Sequence, residues 1–199
     1  MDQVVDVQRK HGVATLKFLS GEVVKAPSAL YLERRVRPGD RMDPAAYRLF
    51  LSQRGYPHAL EAAMKYLALR ERSQQEVRQR LKRACFDEQT IQRVTDTLAL
   101  HGLLSDSRFA AQWVTSRSKK YGRSRIAQEL RIKGVSGEEM KKALDTLPEE
   151  EEYRRAVEQG RKMTRKFQND IQKITQALMR RGYGWSIARR AAEEAASSR

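Results

Sequence analysis

The chain copies itself. Displaced by 49 residues, Leu60, Met64, Val77, Leu81, Phe86 and Ile91 fall on Phe109, Trp113, Ile126, Leu130, Val135 and Met140. A further displacement of 48 carries Phe109, Ile126, Leu130, Gly134 and Val135 onto Val157, Ile174, Leu178, Gly182 and Tyr183. The third copy drifts by one residue in its last segment, at Ile187 and Ala188. A period of this length is the mark of a tandem array, in which each unit is too small to bury its apolar face alone and must stack on its neighbour.

Within each copy the apolar residues are spaced as on helices. Leu60, Ala63, Met64 and Leu67 fall at i, i+3, i+4 and i+7, as do Met140, Ala143, Leu144 and Leu147. Tyr153, Ala156, Val157 and Gly160 repeat the pattern. Ser73 followed by Glu76 forms a capping box, and Asp87 and Ser136 stand where N-caps belong. Gly102, Gly122, Gly134 and Gly182 stand at helix ends, where a left-handed residue closes the turn. Each copy therefore reads as three helices.

The first 57 residues differ in texture, holding four of the five prolines and seven valines before residue 37. Ala14, Leu16 and Phe18 alternate with Val13, Thr15 and Lys17, which predicts a strand with one buried face. Leu19 to Glu22 reads as a hairpin turn, and Ser28 to Asp43 as a short strand or helical turn stopped by Pro38-Gly39. A helix starts at Pro44, a first-turn position that needs no backbone donor. The predicted organisation is a small β-rich unit with a short helix at 1–57, then repeats at 58–103, 104–147 and 148–199. The fold class is mainly α: three tandem three-helix repeats in an elongated array, with a small β-containing N-terminal segment.

Composition narrows the partner. Forty Lys and Arg against 25 Asp and Glu leave a formal charge of +15, which favours a polyanionic partner. The lone Cys85 excludes an intramolecular disulfide framework and suits a reducing cytoplasm. No apolar run reaches the roughly 18 residues of a membrane span, so no membrane role is expected. Catalytic signals are absent: His11, His58 and His101 are scattered, and no phosphate-binding glycine loop occurs. Neither enzyme activity nor a cofactor or metal is expected, and with no heptad seam the chain reads as a monomer.

LSDSRFAAQWVTSRSKKYGRSRIAQELRIKGVS, in the middle repeat, resembles the signature of the RecX family. RERSQQEVRQRLKR and ALMRRGYGWSIARRA match that family's first and third repeats, so the likeness covers residues 58 to 196. Asp106, Phe109, Ala110, Arg117, Gly122, Ile126, Leu130 and Gly134 share one register with the family. Arg123 and Cys85 stand where the family commonly has a proline and a glycine. The resemblance implies a non-enzymatic regulator that binds the RecA–DNA filament and depresses filament growth, ATP hydrolysis and strand exchange.

Seven Lys and Arg crowd the 17 positions from Arg117 to Lys133, against one acid, Glu129. A face made soluble by charge mixes its signs; this one does not. Lys119, Lys120, Tyr121, Arg123, Arg125, Arg131 and Lys133 are therefore the candidate contacts to RecA or to single-stranded or double-stranded DNA. Arg180 and Arg181, ahead of Tyr183 and Trp185, form a second candidate group. Trp113 follows an apolar stripe and reads as core rather than as a base-stacking platform. Arg117 reads as an architectural residue pairing with a carboxylate, Asp106 as an N-cap, and Glu149 to Glu152 as acids at the positive end of a helix. A helix-turn-helix reader around Gly134 is disfavoured by bulky Leu130 where such motifs need a small residue. An independent DNA-binding or RNA-binding protein is the alternative that bulk charge alone permits.

Overall fold

Valines and alternating apolar residues set the start of the chain as a sheet. The structure, a computed structural model, describes residues 1–197. Strands β1 (Asp2–Lys10), β2 (Val13–Phe18) and β3 (Val23–Pro27) are joined by tight turns, and β4 (Arg41–Met42) returns to pair with β1. The antiparallel order is β3-β2-β1-β4. Ala14, Leu16 and Phe18 point into the core as their alternation predicts. The β2–β3 turn lies at Leu19–Glu22, while His11 and Gly12, both at positive φ (51° and 82°), make the β1–β2 turn. Helix α1 (Ser28–Glu33) follows β3, so the segment after Ser28 is both helical turn and short strand.

Helix α2 (Pro44–Leu67) starts where Pro44 predicts, with the Asp43 carboxylate accepting from the N–H of Ala45 at 2.9 Å. It does not stop near Pro57. Pro57 removes one backbone donor, but the helix is held at both ends: Tyr47 and Phe50 pack on the sheet core, and Ala59 and Ala63 on the core of the first repeat. The change of texture at residue 57 thus falls inside one rod. Leu30 of α1 belongs to that repeat core too, so the β-rich segment and the first repeat share one unit, Met1–Ser105. The rest of the chain, from Asp106, is a second compact unit.

The first repeat adds α3 (Gln74–Arg83) and α4 (Glu88–Leu100); the second has α5 (Asp106–Arg117), α6 (Arg123–Ile132) and α7 (Gly137–Asp145). The third has α8 (Glu149–Phe167), α9 (Ile171–Arg180) and α10 (Trp185–Ser197). The repeat register has a local cause. At the corners after α3, α6 and α9, the N–H groups of Phe86, Val135 and Tyr183 reach back five residues to the carbonyls of Leu81, Leu130 and Leu178, at 3.2, 3.1 and 3.3 Å. The residue before each, Cys85, Gly134 or Gly182, has φ of 65°, 76° or 88°. This is a Schellman closure with its accompanying apolar contact. Leu81, Leu130 and Leu178 are fully buried, each stabilising its unit by about 1.5–3 kcal/mol. Cys85 is the left-handed helix-end residue that its alignment with the glycines predicts.

Gly122 departs from this pattern. It is the N-cap of α6 with φ −78°, not a left-handed terminator. Met64 departs as well: although on the predicted stripe it is half exposed, because α2 turns Gly55, Ala59 and Ala63 inward instead.

Candidate functional site

The basic run folds around its one acid. Glu129, on α6, accepts from Arg117 on α5 through two bonds, Nε to Oε2 at 2.7 Å and Nη2 to Oε1 at 2.6 Å. Trp113 Nε1 donates to Oε2 at 3.1 Å, and Arg125 Nε lies 3.4 Å from Oε1. The Arg117 guanidinium also lies over Tyr121, 4.4 Å from the ring centroid, with Arg125 at 4.7 Å from the same ring. Lys133 Nζ sits 4.6 Å from the Trp113 ring centre. Arg117 is thus the architectural residue the sequence predicts, and Trp113, stacked on Phe109, is a half-buried packing residue.

Hydrogen bonds from Arg117, ahead of its charge and of the Trp113 and Arg125 bonds, hold the Glu129 carboxyl below its ordinary value of 4.5. A carboxyl depressed in the folded state contributes stability that is full above the unfolded value and lost as pH falls through the folded one. Glu129→Gln is therefore expected to flatten part of the loss of stability below about pH 4.5. Trp113 fluorescence during denaturant unfolding at pH 7 and pH 3.5 checks this; equal pH dependence in both proteins would refute it.

The first turn of α6 then meets the third repeat through three successive N–H groups. Gly122 donates to the Arg181 carbonyl at 3.0 Å, Arg123 to Glu152 Oε1 at 2.9 Å, and Ser124 to the Gly182 carbonyl at 3.2 Å. These are the orphan donors of a helix start, and two of them are satisfied by carbonyls of the corner that follows α9. The Arg123 side chain crosses the same junction: Nε lies 3.0 Å from Glu152 Oε2, and Nη2 donates to the Leu147 carbonyl. The Nε–H does not point along the contact, so that contact is Coulombic rather than a hydrogen bond. Glu152 is 5% exposed.

Beside this weld an open cleft of about 600 Å³ is lined by Lys119, Lys120 and Tyr121 of the α5–α6 bend, by Arg155, Glu158, Gln159 and Lys162 of α8, and by Arg181. Gln159 ties its walls together: its Nε2 donates to the Lys119 carbonyl at 3.1 Å, and its Oε1 accepts from Arg181. Arg155 is held to Glu151 at 2.6 Å. Lys119, Lys120 and Lys162 are exposed. Five cations thus face one carboxylate across two repeats.

Sequence profiles of the first, second and third three-helix domains of RecX match residues 59–98, 105–144 and 149–192. A regulatory protein RecX of Amycolatopsis mediterranei is 36% identical over 140 residues, covering 67% of this chain and 80% of that protein. The chain belongs to the RecX family. The regulatory protein RecX of Clostridium botulinum is 26% identical over 199 residues, covering 96% of this chain and 94% of that one. A crystal structure of regulatory protein RecX superposes with a TM-score of 0.67 at 20% identity, covering 98% of this chain and 100% of the other. RecX from Lactobacillus salivarius gives 0.64 at 22% identity over 70% of this chain and 96% of that one. Those two structures share the fold.

The cleft therefore lies between the second and third RecX domains. Of the sequence-predicted contacts it brings together Lys119, Lys120, Tyr121 and Arg181. Arg125 stands beside them, paired to Glu129, and Arg123 is turned into the weld between the domains. Arg131, Lys133 and Arg180 do not line the cleft; Arg131 and Arg180 are exposed in the last turns of α6 and α9. Tyr183 is buried, and burial pushes its hydroxyl up to about 12, while Trp185 is exposed. Sequence reasoning missed Arg155, Gln159 and Lys162. Their spacing of i, i+4 and i+7 on α8 was the available signal.

Proposed function

We propose that this chain binds the RecA–DNA filament and depresses RecA activity, acting as a cytoplasmic monomer by binding rather than by catalysis. The observation that carries the reading is the cationic cleft between the second and third RecX domains, in a chain whose relatives are named regulatory proteins. Positive charge concentrated on one surface raises the encounter rate with a polyanionic assembly. Tandem domains that each touch a repetitive partner weakly gain strength from being linked.

RecA-dependent ATP hydrolysis on single-stranded DNA, measured with this protein titrated in at fixed salt and excess DNA, tests the proposal. Hydrolysis is expected to fall at amounts well below one molecule per RecA subunit. A fall only once the protein saturates the strand would instead mean simple competition, and an independent nucleic-acid-binding role would replace this one. The same assay separates the cations: Lys119→Glu with Lys120→Glu is expected to weaken the effect at least tenfold with helicity unchanged. Arg123 is left out of that variant because its charge holds the domains together.

A further inference from the structure

Strand β3 is an outer strand of the N-terminal sheet, and two bonds fix which of its residues face away from β2. The Phe18 N–H donates to the Glu22 carbonyl and the Ser28 N–H to the Gly12 carbonyl, both at 2.9 Å. Bonded and unbonded pairs alternate along an antiparallel ladder. Glu22, Val24, Ala26 and Ser28 therefore bond β2, while Val23, Lys25 and Pro27 turn their backbone groups outward. Val23 and Lys25 thus present two N–H and two C=O groups with no partner among the described residues. Such an edge is a template for a further strand.

A cavity of about 200 Å³ lies against this edge, within the unit Met1–Ser105. Leu30, Leu51 and Phe86 give it an apolar wall. Two of its charged groups are committed: Asp87 accepts from the Thr90 N–H at 2.9 Å and hydroxyl at 2.7 Å, and Arg48 pairs with Glu22. That leaves Lys25, which is exposed and has no carboxylate partner among the described residues. Side chains of an added strand alternate between the two sides of the sheet. The segment that fits sets an apolar residue against the Leu30, Leu51 and Phe86 wall and an acid beside Lys25. A second copy of β3 fits poorly. It would bring another Lys25 to the same short edge, like charge beside like, and its Pro27 has no N–H to donate.

We propose that the β3 edge and its cavity take an extended acidic peptide segment of a partner protein as an added strand. Backbone bonds to Val23 and Lys25 hold the segment, and the cavity and the Lys25 charge select it. The inference stands apart from the proposed function and its cleft.

The test uses the full chain without RecA and a labelled, acetylated peptide alternating Val and Glu, followed by fluorescence anisotropy. Val23→Pro removes one outward N–H and no ladder bond; it is expected to weaken binding about threefold to tenfold, with circular dichroism unchanged. Lys25→Glu is expected to weaken it about tenfold, and Lys141→Glu, an equal charge change on exposed α7, less than about twofold. The same peptide with alternate backbone nitrogens methylated, or with Lys for Glu, is expected not to bind. Cys85 lines the cavity and is the chain's only thiol, so its alkylation is expected to slow at least about fivefold when the peptide is bound. No binding up to about 1 mM would overturn the inference. So would equal losses for Lys25→Glu and Lys141→Glu, full binding of the methylated peptide, or unchanged Cys85 alkylation. Self-association of the unaltered chain that Val23→Pro abolishes would assign the edge to a second copy and overturn it too. None of these outcomes bears on RecA hydrolysis, so the proposed function stands or falls separately.

Discussion

Gly122→Ala is expected to destabilise the unit that begins at Asp106 by about 3–5 kcal/mol. A β-carbon on Gly122 would stand 2.3 Å from the Gly182 carbonyl oxygen and 2.5 Å from both the Gly182 carbon and the Tyr183 nitrogen. All three are backbone atoms at a closed helix corner, so no side chain can swing aside. Relief requires α6 to withdraw from the corner. That withdrawal breaks the bonds from Gly122 to Arg181 and from Ser124 to Gly182, at 3.0 and 3.2 Å. Overpacking alone costs about 1–3 kcal/mol, and each buried group left unpaired adds about 1–3 kcal/mol. In a unit of this size the melting transition should fall by roughly 15 °C or more. Gly137→Ala is the control, since a β-carbon there meets nothing within 4 Å. Thermal melts followed by circular dichroism would decide it. A shift for Gly122→Ala no larger than for Gly137→Ala would mean that the domains are not joined at this glycine.

The same glycine marks where the sequence stopped being readable. Glycine serves two needs, a positive φ and a close approach, and the letters do not say which. At Gly102 and Gly134 the first reading holds; at Gly122 the second does; Gly182 answers both, with φ 88° and a β-carbon that would stand 2.4 Å from the Arg125 nitrogen. The repeat register was legible because it is a local closure, fixed by a leucine, a left-handed residue and the apolar residue after it. The strand alternation of Ala14, Leu16 and Phe18 was legible for the same local reason. Pro57 misled because a proline's effect depends on what holds the helix on either side. The cleft was half legible. Charge density found the bend, but the opposite wall on α8 belongs to another repeat, and only packing brings the two together. The run Glu149 to Glu152 illustrates the loss. Four like residues read as one feature, yet the helix rotates each by about 100° from the last. Only Glu152 shares the inward face with Ala156, Gln159, Gly160 and Met163.

Glu152→Ala should consequently act on the fold far more than its neighbours do. It removes the acceptor of the Arg123 N–H at 2.9 Å and the counter-charge 3.0 Å from Arg123 Nε. Breaking a buried ion pair from one side costs about 3–5 kcal/mol, because the remaining charge is left uncompensated. The Arg123 side chain is 36% exposed, so water recovers part of this, and about 2–3 kcal/mol is expected. Glu150→Ala, on the exposed side of the same turn, should change stability by less than about 0.5 kcal/mol. Glu152→Gln keeps one acceptor for the backbone N–H and should fall between the two. Arg123→Met combined with Glu152→Leu discards both charges and should recover much of the loss, as paired apolar replacement of buried ions often does. Urea unfolding of the four variants measures this directly. If Glu152→Ala proved no more damaging than Glu150→Ala, the pair would be an incidental surface contact, and Arg123 would return to the set of cations free to meet a partner.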